Sequence, residues 1–306
     1  MRKAAYLFPG QGSQYIGMGK DLYDHSKCAR KVFDLADQVL DCDFTGLIFE
    51  GDEEELTRTV NAQPALLTMS IACLEAACEL AKDKLPAPAF AAGHSLGEYS
   101  ALAAVGALSY EDAVALARRR GELMQKAGDD HPGTMAAIIG LETEIVENIA
   151  AHTNVTVANY NCPGQIIISG GEDEVDQACE ACEEAGAKMA IPLSVSGAFH
   201  SPLMADAQAG LNERLQLVDV KAPEVPLVAN TTGKVLDDAP EAVREELQNQ
   251  LCHSVRWEDT IRTMLAEGVD TFVEIGPGDV LTKLIGRIDK DATAIHIGSI
   301  ADIEAL

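Results

Sequence analysis

Residues 91–101 read AAGHSLGEYSA and join a short apolar run to a helix-forming run. Gly93 and Gly97 flank Ser95 in a GxSxG pattern, in which a serine stands on a tight turn between a strand and a helix. Such a turn brings backbones close together, so a side chain at either glycine would obstruct it. The turn holds the Ser95 hydroxyl away from the scaffold, beside the free N–H groups of the new helix. By itself the pattern also fits an ordinary strand-to-helix connection, and the rest of the chain must decide.

Length and composition limit the class of protein. The chain has 306 residues, of which 47% are hydrophobic, which is enough for one large core or for two domains. No run approaches the ~18 consecutive apolar residues of a transmembrane helix, so we expect no membrane span. The start, Met1-Arg2-Lys3 followed by the short apolar run 4–8, is too short for a signal peptide. These features predict a cytoplasmic protein.

Charge and special residues argue against nucleic-acid, metal and cofactor binding. With a net charge of −26, no basic face for phosphate contacts is evident. The eight cysteines, in a chain without an export signal, are expected to be reduced thiols. Cys179 and Cys182 form a CxxC pair, but no second pair completes four zinc ligands. The glycines within 10–12 and 276–278 lack the third glycine of a dinucleotide fingerprint and a P-loop lysine, so no cofactor is expected.

Strand-like and helix-like segments alternate through most of the chain, which predicts an α/β fold with a parallel sheet. Residues 134–195 depart from this alternation, with the order strand, helix, strand, strand, helix, strand. That βαββαβ order is typical of a ferredoxin-like fold. We therefore expect an α/β-hydrolase-like large domain, residues 1–129 and 197–306, with a ferredoxin-like small domain, residues 130–196, inserted into it. A cleft between the two domains is the natural place for a ligand.

Periodicity and end signals place the individual elements. Strands are predicted at 4–8, 134–139, 155–159, 165–169, 188–195, 225–229, 271–275 and 294–297. Helices are predicted at 18–23, 28–40, 52–59, 96–105, 142–152, 172–185, 241–251 and 257–267, with another after Ser201. Pro64, at a tolerated first-turn position, is predicted to open a further helix that runs to Ala81. Ser109 and Asp112 form a capping box for a helix that ends near Ala127.

A nucleophilic Ser95 needs a base, because a free hydroxyl is barely nucleophilic at neutral pH. His94 is adjacent, but successive residues of a turn point apart, so His94 is expected to support the loop. His200 lies in the segment SGAFHSPLM, residues 196–204, where the small domain ends and the large one resumes. It should therefore face the cleft. We take His200 as the candidate base and His253 as the second candidate.

A third group normally orients the base through Nδ1. Between Ser95 and His200, no acidic residue stands at an evident strand end, so the sequence nominates no aspartate. Because orientation needs only an acceptor, a backbone carbonyl is an adequate alternative.

The helix after Ser109 carries three consecutive arginines at 118–120, two of which fit a solvated face. Arg120 differs because it shares a helix face with the apolar residues Ala113, Ala117 and Met124. Burying a permanent positive charge requires a carboxylate partner. Either an internal Asp or Glu supplies it, or the substrate does, and a bidentate arginine is the side chain best shaped for a ligand carboxylate.

With these residues assembled, the chain closely resembles the malonyl-CoA:acyl-carrier-protein transacylase family over nearly its whole length. No single motif is specific, but together, in order and at the family spacing, they are. The motifs are FPGQGSQ at 8–14, QPA at 63–65, GHSLGE at 93–98, RG at 120–121, GQ at 164–165, GAFHS at 197–201 and EIGPG at 274–278.

The resemblance implies a role for each candidate. Ser95 would take the acyl group, with His200 as its base, and Arg120 would hold the malonyl carboxylate. The backbone N–H groups of Gln11 and Leu96 would form the oxyanion hole.

Two further roles follow from the same resemblance. In related acyltransferases, a phenylalanine at the position of Phe199 accompanies malonyl selection, and its ring would crowd a 2-methyl branch. A main-chain carbonyl of the segment 254–257, assigned to Arg256, would orient the histidine. The family often has glutamine at the position of Arg256, which should matter little for a backbone contact.

The resemblance implies transfer of a malonyl group from coenzyme A to the phosphopantetheine thiol of acyl carrier protein, through a malonyl-serine intermediate, for fatty acid synthesis. It also implies a monomer without a cofactor. The alternatives are a malonyl transferase that serves a polyketide synthase, a serine thioesterase or hydrolase, and a carrier-binding scaffold without activity. Because carriers are typically acidic, docking needs a basic patch, with candidates at Arg118, Arg119, Lys188, Lys283, Arg287 and Lys290.

Overall fold

The computed structural model describes residues 3–306, so Met1 and Arg2, where the short basic start begins, lie outside the described residues. The strands are β1 (Ala4–Phe8), β2 (Pro88–Gly93), β3 (Thr134–Ile139), β4 (Thr156–Cys162), β5 (Gln165–Gly170), β6 (Met189–Pro192), β7 (Thr271–Ile275) and β8 (Thr293–Ile297). The helices are α1 (Lys20–His25), α2 (Lys27–Leu40), α3 (Phe44–Glu50), α4 (Glu53–Thr57), α5 (Thr59–Leu80), α6 (Gly97–Ala104), α7 (Tyr110–Asp130), α8 (Thr143–Thr153), α9 (Glu172–Glu184), α10 (Ala205–Leu215), α11 (Pro240–Asn249), α12 (Trp257–Ala266), α13 (Val280–Ile288) and α14 (Ile300–Ala305). Short 3₁₀ turns lie at Pro202–Met204 and Gln250–Cys252.

A parallel sheet with the strand order β2-β1-β7-β8 forms one half of the molecule. Its central strand β1 is buried along its whole length because helices cover both faces. Tyr6 and Phe8 pack in the core that contains α5 and α7, whereas Ala5 and Leu7 pack against α12 and α13. Because β1 and β2 pair in parallel, with Phe8 opposite Gly93, their carboxyl ends lie beside each other at one edge of the sheet.

The second sheet is antiparallel, with the order β4-β5-β3-β6. Along β3, Ala136 and Ile138 pack against α8 and α9, whereas Met135 and Ala137 belong to the main core shared with the other half. The order strand, helix, strand, strand, helix, strand predicted for 134–195 is the order observed. A backbone hydrogen bond also links the two halves at β4, where Tyr160 N donates to Val255 O (2.9 Å).

The start of α5 differs from the prediction. The helix begins at Thr59 rather than at Pro64, which therefore lies inside it. Proline has no N–H to donate to the carbonyl of Val60. Arg118 Nη1 donates to that carbonyl instead (3.1 Å), so a tertiary contact satisfies the group that the proline leaves free.

The predicted strand at 225–229 is wrong. This segment makes only isolated bridges, including Leu227 with Ala91, and Pro226 interrupts any longer ladder. The cap at Ser109 is observed as predicted, since its Oγ accepts from Asp112 N (3.1 Å), although α7 continues to Asp130. Within residues 3–306, no helix is long and apolar enough to cross a membrane.

Candidate active site

Ser95 stands on the turn between β2 and α6, with a left-handed φ of 53°. The two flanking glycines are required by close contacts between backbones. A Cβ on Gly93 would lie 1.8 Å from the carbonyl carbon of Gly97, and a Cβ on Gly97 would lie 2.0 Å from Phe8 O. The strained turn is therefore held where β1, β2 and α6 meet, which is the arrangement expected for a serine elbow.

Asn230 fixes the backbone of this turn from the other side. Its side-chain oxygen accepts from Ser95 N (2.8 Å), and its Nδ2 donates to Gly93 O (2.7 Å). Its own N–H donates to Glu98 Oε1 (2.9 Å). Sequence reasoning missed Asn230 and Glu98, but one signal was available: Glu98 is a charged residue in an otherwise apolar and small-residue helix.

His200 lies beside the serine as expected. Its Nε2 is 2.7 Å from Ser95 Oγ, and its Nδ1 is 3.0 Å from Gln250 O and 3.1 Å from His253 O. Because carbonyl oxygens only accept, Nδ1 carries the ring proton and Nε2 presents a lone pair to the Ser95 hydroxyl. This tautomer can receive the hydroxyl proton.

The assignment of Arg256 as the residue that orients the histidine is wrong. Its carbonyl accepts from Thr260 N (2.9 Å) in the first turn of α12. The 3₁₀ turn at 250–252 instead brings the carbonyls of Gln250 and His253 to the imidazole. His253, the second candidate base, thus contributes a carbonyl, while its own Nδ1 lies 2.7 Å from Asn249 O.

Burial keeps His200 neutral. Desolvation lowers the pKa of His200 to about 3, and the charge of Arg120 and the nearby His94 push in the same direction, against the two carbonyls that favour the charged form. The imidazole is therefore neutral at neutral pH, with Nε2 free to accept a proton.

Arg120 is fully buried, and its guanidinium reaches the serine. Nη1 donates to Gln63 Oε1 (2.6 Å), while Nη2 donates to Gln250 Oε1 (3.0 Å) and to Ser95 Oγ (3.1 Å). These acceptors are amide and hydroxyl oxygens, and among the described residues Nε has no partner. Of the two partners left open by the sequence, an internal carboxylate is not in hydrogen-bonding contact with the guanidinium in residues 3–306.

A cavity of about 410 Å³ opens over these groups. Gln11, Ser95, Phe199 and His200 line it from the segments predicted as the large domain. The segment predicted as the small domain contributes Met135, Asn159, Asn161, Gln165, Ile167, Leu193, Ser194 and Val195. Residues from both segments therefore line the cavity.

Two backbone amides are free beside the serine. Neither Gln11 N nor Leu96 N donates a hydrogen bond within the part of the chain that the structure describes. The loop that carries Gln11 packs directly on the elbow, since a Cβ on Gly10 would lie 2.5 Å from His94 O. Two unpaired N–H groups in this position can receive an oxyanion.

His94 supports the elbow, as expected from its position in the turn. Its Nε2 lies 2.9 Å from Asn161 Oδ1 on β4, and its ring meets Trp257 edge-on with 5.4 Å between centroids. These contacts tie the elbow to the antiparallel sheet. As for metals, no group of three or more His, Cys, Asp or Glu residues in 3–306 is arranged to hold an ion.

The chain is similar to known acyltransferases. A model of the acyl transferase domain matches residues 5–300. The malonyl CoA-acyl carrier protein transacylase of Bacillus subtilis is 48% identical over 309 residues, which cover 99% of this chain and 96% of the relative. The structure of acyl-carrier-protein-S-malonyltransferase from Bartonella henselae is 43% identical, with a TM-score of 0.94 and coverage of 99% of this chain and 98% of that one. A third similar structure is that of a type II PKS acyl-carrier protein in complex with its malonyl-transacylase. The matched chain is 38% identical, with a TM-score of 0.93 and coverage of 99% of this chain and 98% of that one. The chain belongs to the acyl transferase domain family.

Proposed function

We propose that this enzyme transfers a malonyl group from coenzyme A to the phosphopantetheine thiol of an acyl carrier protein, in fatty acid synthesis. The observation that carries the proposal is Arg120, a buried cation that contacts Ser95 Oγ and no carboxylate within residues 3–306. A buried guanidinium that lies next to the nucleophile and has no carboxylate partner favours an acyl group that carries its own carboxylate. The named relatives support the same substrate pair.

The first half-reaction loads the serine. Ser95 Oγ attacks the thioester carbonyl of malonyl-CoA as its proton passes to His200 Nε2. The amides of Gln11 and Leu96 receive the negative charge on the tetrahedral oxygen. Collapse of this intermediate breaks the C–S bond, and coenzyme A leaves as a thiol with the proton from His200. A malonyl-serine ester remains.

The second half-reaction uses the same groups in reverse. The carrier thiol gives its proton to His200 and attacks the ester carbonyl, and Ser95 leaves with that proton. Two half-reactions that share one covalent intermediate give ping-pong kinetics. All of these steps use side chains and amides of the chain together with one thioester substrate and one thiol substrate.

Phe199 is proposed to limit the acyl chain. It lines the cavity and is almost fully buried, so its ring has little room to move away from a 2-methyl branch. A packing difference of one methyl group discriminates by only ~1 to 3 kcal/mol, so malonyl is preferred over methylmalonyl without strict exclusion.

We also propose the finer description of the fold. The large domain, 1–129 and 197–306, is α/β-hydrolase-like, which the parallel sheet and the serine elbow support. The small domain, 130–196, is ferredoxin-like, which the antiparallel order β4-β5-β3-β6 and the two helices on one face support.

The carrier is proposed to dock near the outer end of α13. Among the candidate cations, Arg118 is engaged with Val60 O, Arg119 pairs with Glu122 and Lys283 pairs with Asp279. Lys188, Arg287 and Lys290 remain. Lys188 and Arg287 line one hollow of about 520 Å³, and Arg287 also contacts Gln165 of the main cavity. Lys290 is exposed and follows α13 in sequence. Glu142, Glu144 and Glu258 line the same hollow, so electrostatic steering of an acidic carrier is weak.

A loading and chase experiment tests the function. After mixing with malonyl-CoA, intact-protein mass spectrometry should show one malonyl adduct that persists until holo carrier is added and then moves to the carrier. A serine hydrolase would instead release free malonate without carrier, and an inactive scaffold would form no adduct. A fatty acid synthase carrier and a polyketide synthase carrier are compared in the chase, because the complex at TM-score 0.93 contains a type II PKS carrier.

The pH dependence of serine reactivity gives a separate prediction. Protonated His200 cannot accept the hydroxyl proton, and its pKa is lowered to about 3, so reactivity should be lost only as the pH falls towards that value. We expect the rate of Ser95 modification by a neutral sulfonyl fluoride to show no step near 6.5, the ordinary value for histidine. A step there would contradict the proposed neutral base. With malonyl-CoA the acid limb should lie higher, because the substrate carboxylate offsets the charge of Arg120.

A further inference from the structure

Glu98 is a buried carboxyl group that the proposed mechanism does not use. It lies in the first turn of α6 and is 0% exposed. Oε1 accepts from Asn230 N (2.9 Å), and Oε2 accepts from Gln250 Nε2 (2.5 Å). Each oxygen therefore faces a donor, which is what an acceptor-only carboxylate requires.

Gln250 connects this carboxyl group to the reacting centre. Its Nε2 donates both to Glu98 Oε2 and to Ser95 O (3.0 Å), and its Oε1 accepts from Arg120 Nη2 (3.0 Å). A carboxamide has one donating end and one accepting end. With two acceptors at the nitrogen, the oxygen must point at the guanidinium.

We propose that Glu98 is a positioning residue that sets the preference for carboxylated acyl groups, because it orients the Gln250 carboxamide whose oxygen holds Arg120 beside Ser95. The inference rests on the proposed function, in which Arg120 receives the malonyl carboxylate.

The indirect connection has an electrostatic advantage. A carboxylate bonded directly to Arg120 would occupy its donors and neutralise it before the substrate arrives. Glu98 stands one amide away and does not bond to the guanidinium itself. Burial and the neighbouring Glu246 raise the pKa of Glu98 well above its ordinary value, against the donors on Asn230 and Gln250 and the charge of Arg120. The two N–H donors that face its oxygens therefore fix the direction of the Gln250 carboxamide.

Glu98→Gln is the sharpest test, because it keeps the size and removes the second acceptor. Whichever way the new amide turns, its NH₂ faces a donor, either Asn230 N or Gln250 Nε2. Rotation of Gln250 relieves the second clash but turns its NH₂ towards Arg120. Glu274→Gln is the matched control, since Glu274 is also fully buried but accepts from Leu281 N (3.0 Å) and Thr282 N (2.7 Å) rather than from Gln250.

The measurement is the rate of Ser95 loading from malonyl-CoA and from acetyl-CoA, followed by intact-protein mass spectrometry. For Glu98→Gln we expect malonyl loading to fall roughly 10- to 100-fold, the effect of losing a charge-assisted hydrogen bond, with acetyl loading retained. The malonyl-to-acetyl ratio of Glu274→Gln should stay at the wild-type value. Equal losses for both acyl groups would show that Glu98 only supports the elbow. Unchanged rates for both acyl groups would show that Glu98 has no positioning role. Either result overturns the inference.

Folding and the underlying role of Arg120 are checked in the same series. Thermal unfolding establishes that each variant is folded. If Glu98→Gln does not fold, Gln250→Met replaces it. This variant keeps the carbonyl of residue 250, and its malonyl-to-acetyl ratio should fall in the same way. Arg120→Ala separates the two proposals. If it retains malonyl loading, the carboxylate role of Arg120 fails; if it loses malonyl loading while Glu98→Gln and Gln250→Met keep the ratio, only the positioning role of Glu98 fails.

Discussion

Ser95→Ala is expected to abolish malonyl transfer. The hydroxyl of Ser95 lies 2.7 Å from His200 Nε2 and 3.1 Å from Arg120 Nη2, so the proposed proton acceptor and the proposed carboxylate site both converge on this one oxygen. Without it no ester can form, and removal of a comparable nucleophile costs at least ~10⁴-fold in rate. Intact-protein mass spectrometry should detect no malonyl adduct, and the carrier assay should show no transfer above the uncatalysed rate.

Ser100→Ala is the matched control for this experiment. Ser100 lies on α6, is buried, and its hydroxyl has no hydrogen-bond partner within the described residues. Its removal should leave both loading and transfer in place. Carrier-dependent transfer by Ser95→Ala, or a malonyl adduct on another residue of that variant, would show that the serine is not the nucleophile.

The elbow could be predicted because its causes are local. Gly93 and Gly97 are needed by contacts within a few residues of Ser95 and with the adjacent β1, so a five-residue pattern carries the information. His200 is 105 residues away in sequence and was found by its place at the domain boundary. Arg120 was found because a charge on an apolar helix face needs an explanation.

The group that orients His200 could not be predicted in the same way. A backbone carbonyl carries no side-chain signal, and its direction depends on the course of the 3₁₀ turn at 250–252. The carbonyls that contact His200 belong to Gln250 and His253, a few residues before the predicted Arg256. The predicted start of α5 was wrong for a related reason. Only the folded chain shows that Arg118 donates to Val60 O, the carbonyl that Pro64 leaves without a donor.

The polar residues behind the elbow were missed because each acts through a buried hydrogen bond to another. Asn230 follows a segment that the sequence predicts to be a strand, and Gln250 lies in the last turn of the predicted helix 241–251, so neither stands out in the sequence. Together with Glu98 they determine where the Ser95 backbone and the Arg120 guanidinium lie. The reacting groups were thus visible in the sequence, whereas the groups that place them required the fold.

Arg120→Ala is expected to reverse the preference between acyl groups. In the wild type, a neutral acyl group leaves the buried guanidinium without a carboxylate, at a cost of roughly 3 to 5 kcal/mol, whereas malonyl removes that cost. The alanine variant should lose malonyl loading by about 10² to 10⁴-fold, the rate equivalent of this energy. Loading from acetyl-CoA should be retained or increased, because a neutral acyl group then no longer leaves a buried guanidinium without a carboxylate.

Two variants on the same helix make this result specific. Arg119→Ala removes an exposed arginine that pairs with Glu122, so it should keep the malonyl-to-acetyl ratio of the wild type. Arg120→Lys keeps the charge but not the planar donors that reach Gln63, Gln250 and Ser95 at once, so its malonyl loading should lie between those of wild type and Arg120→Ala. Unchanged malonyl loading in Arg120→Ala would mean that the substrate carboxylate is held elsewhere. The proposed preference for carboxylated acyl groups depends on this guanidinium, so that outcome would overturn it.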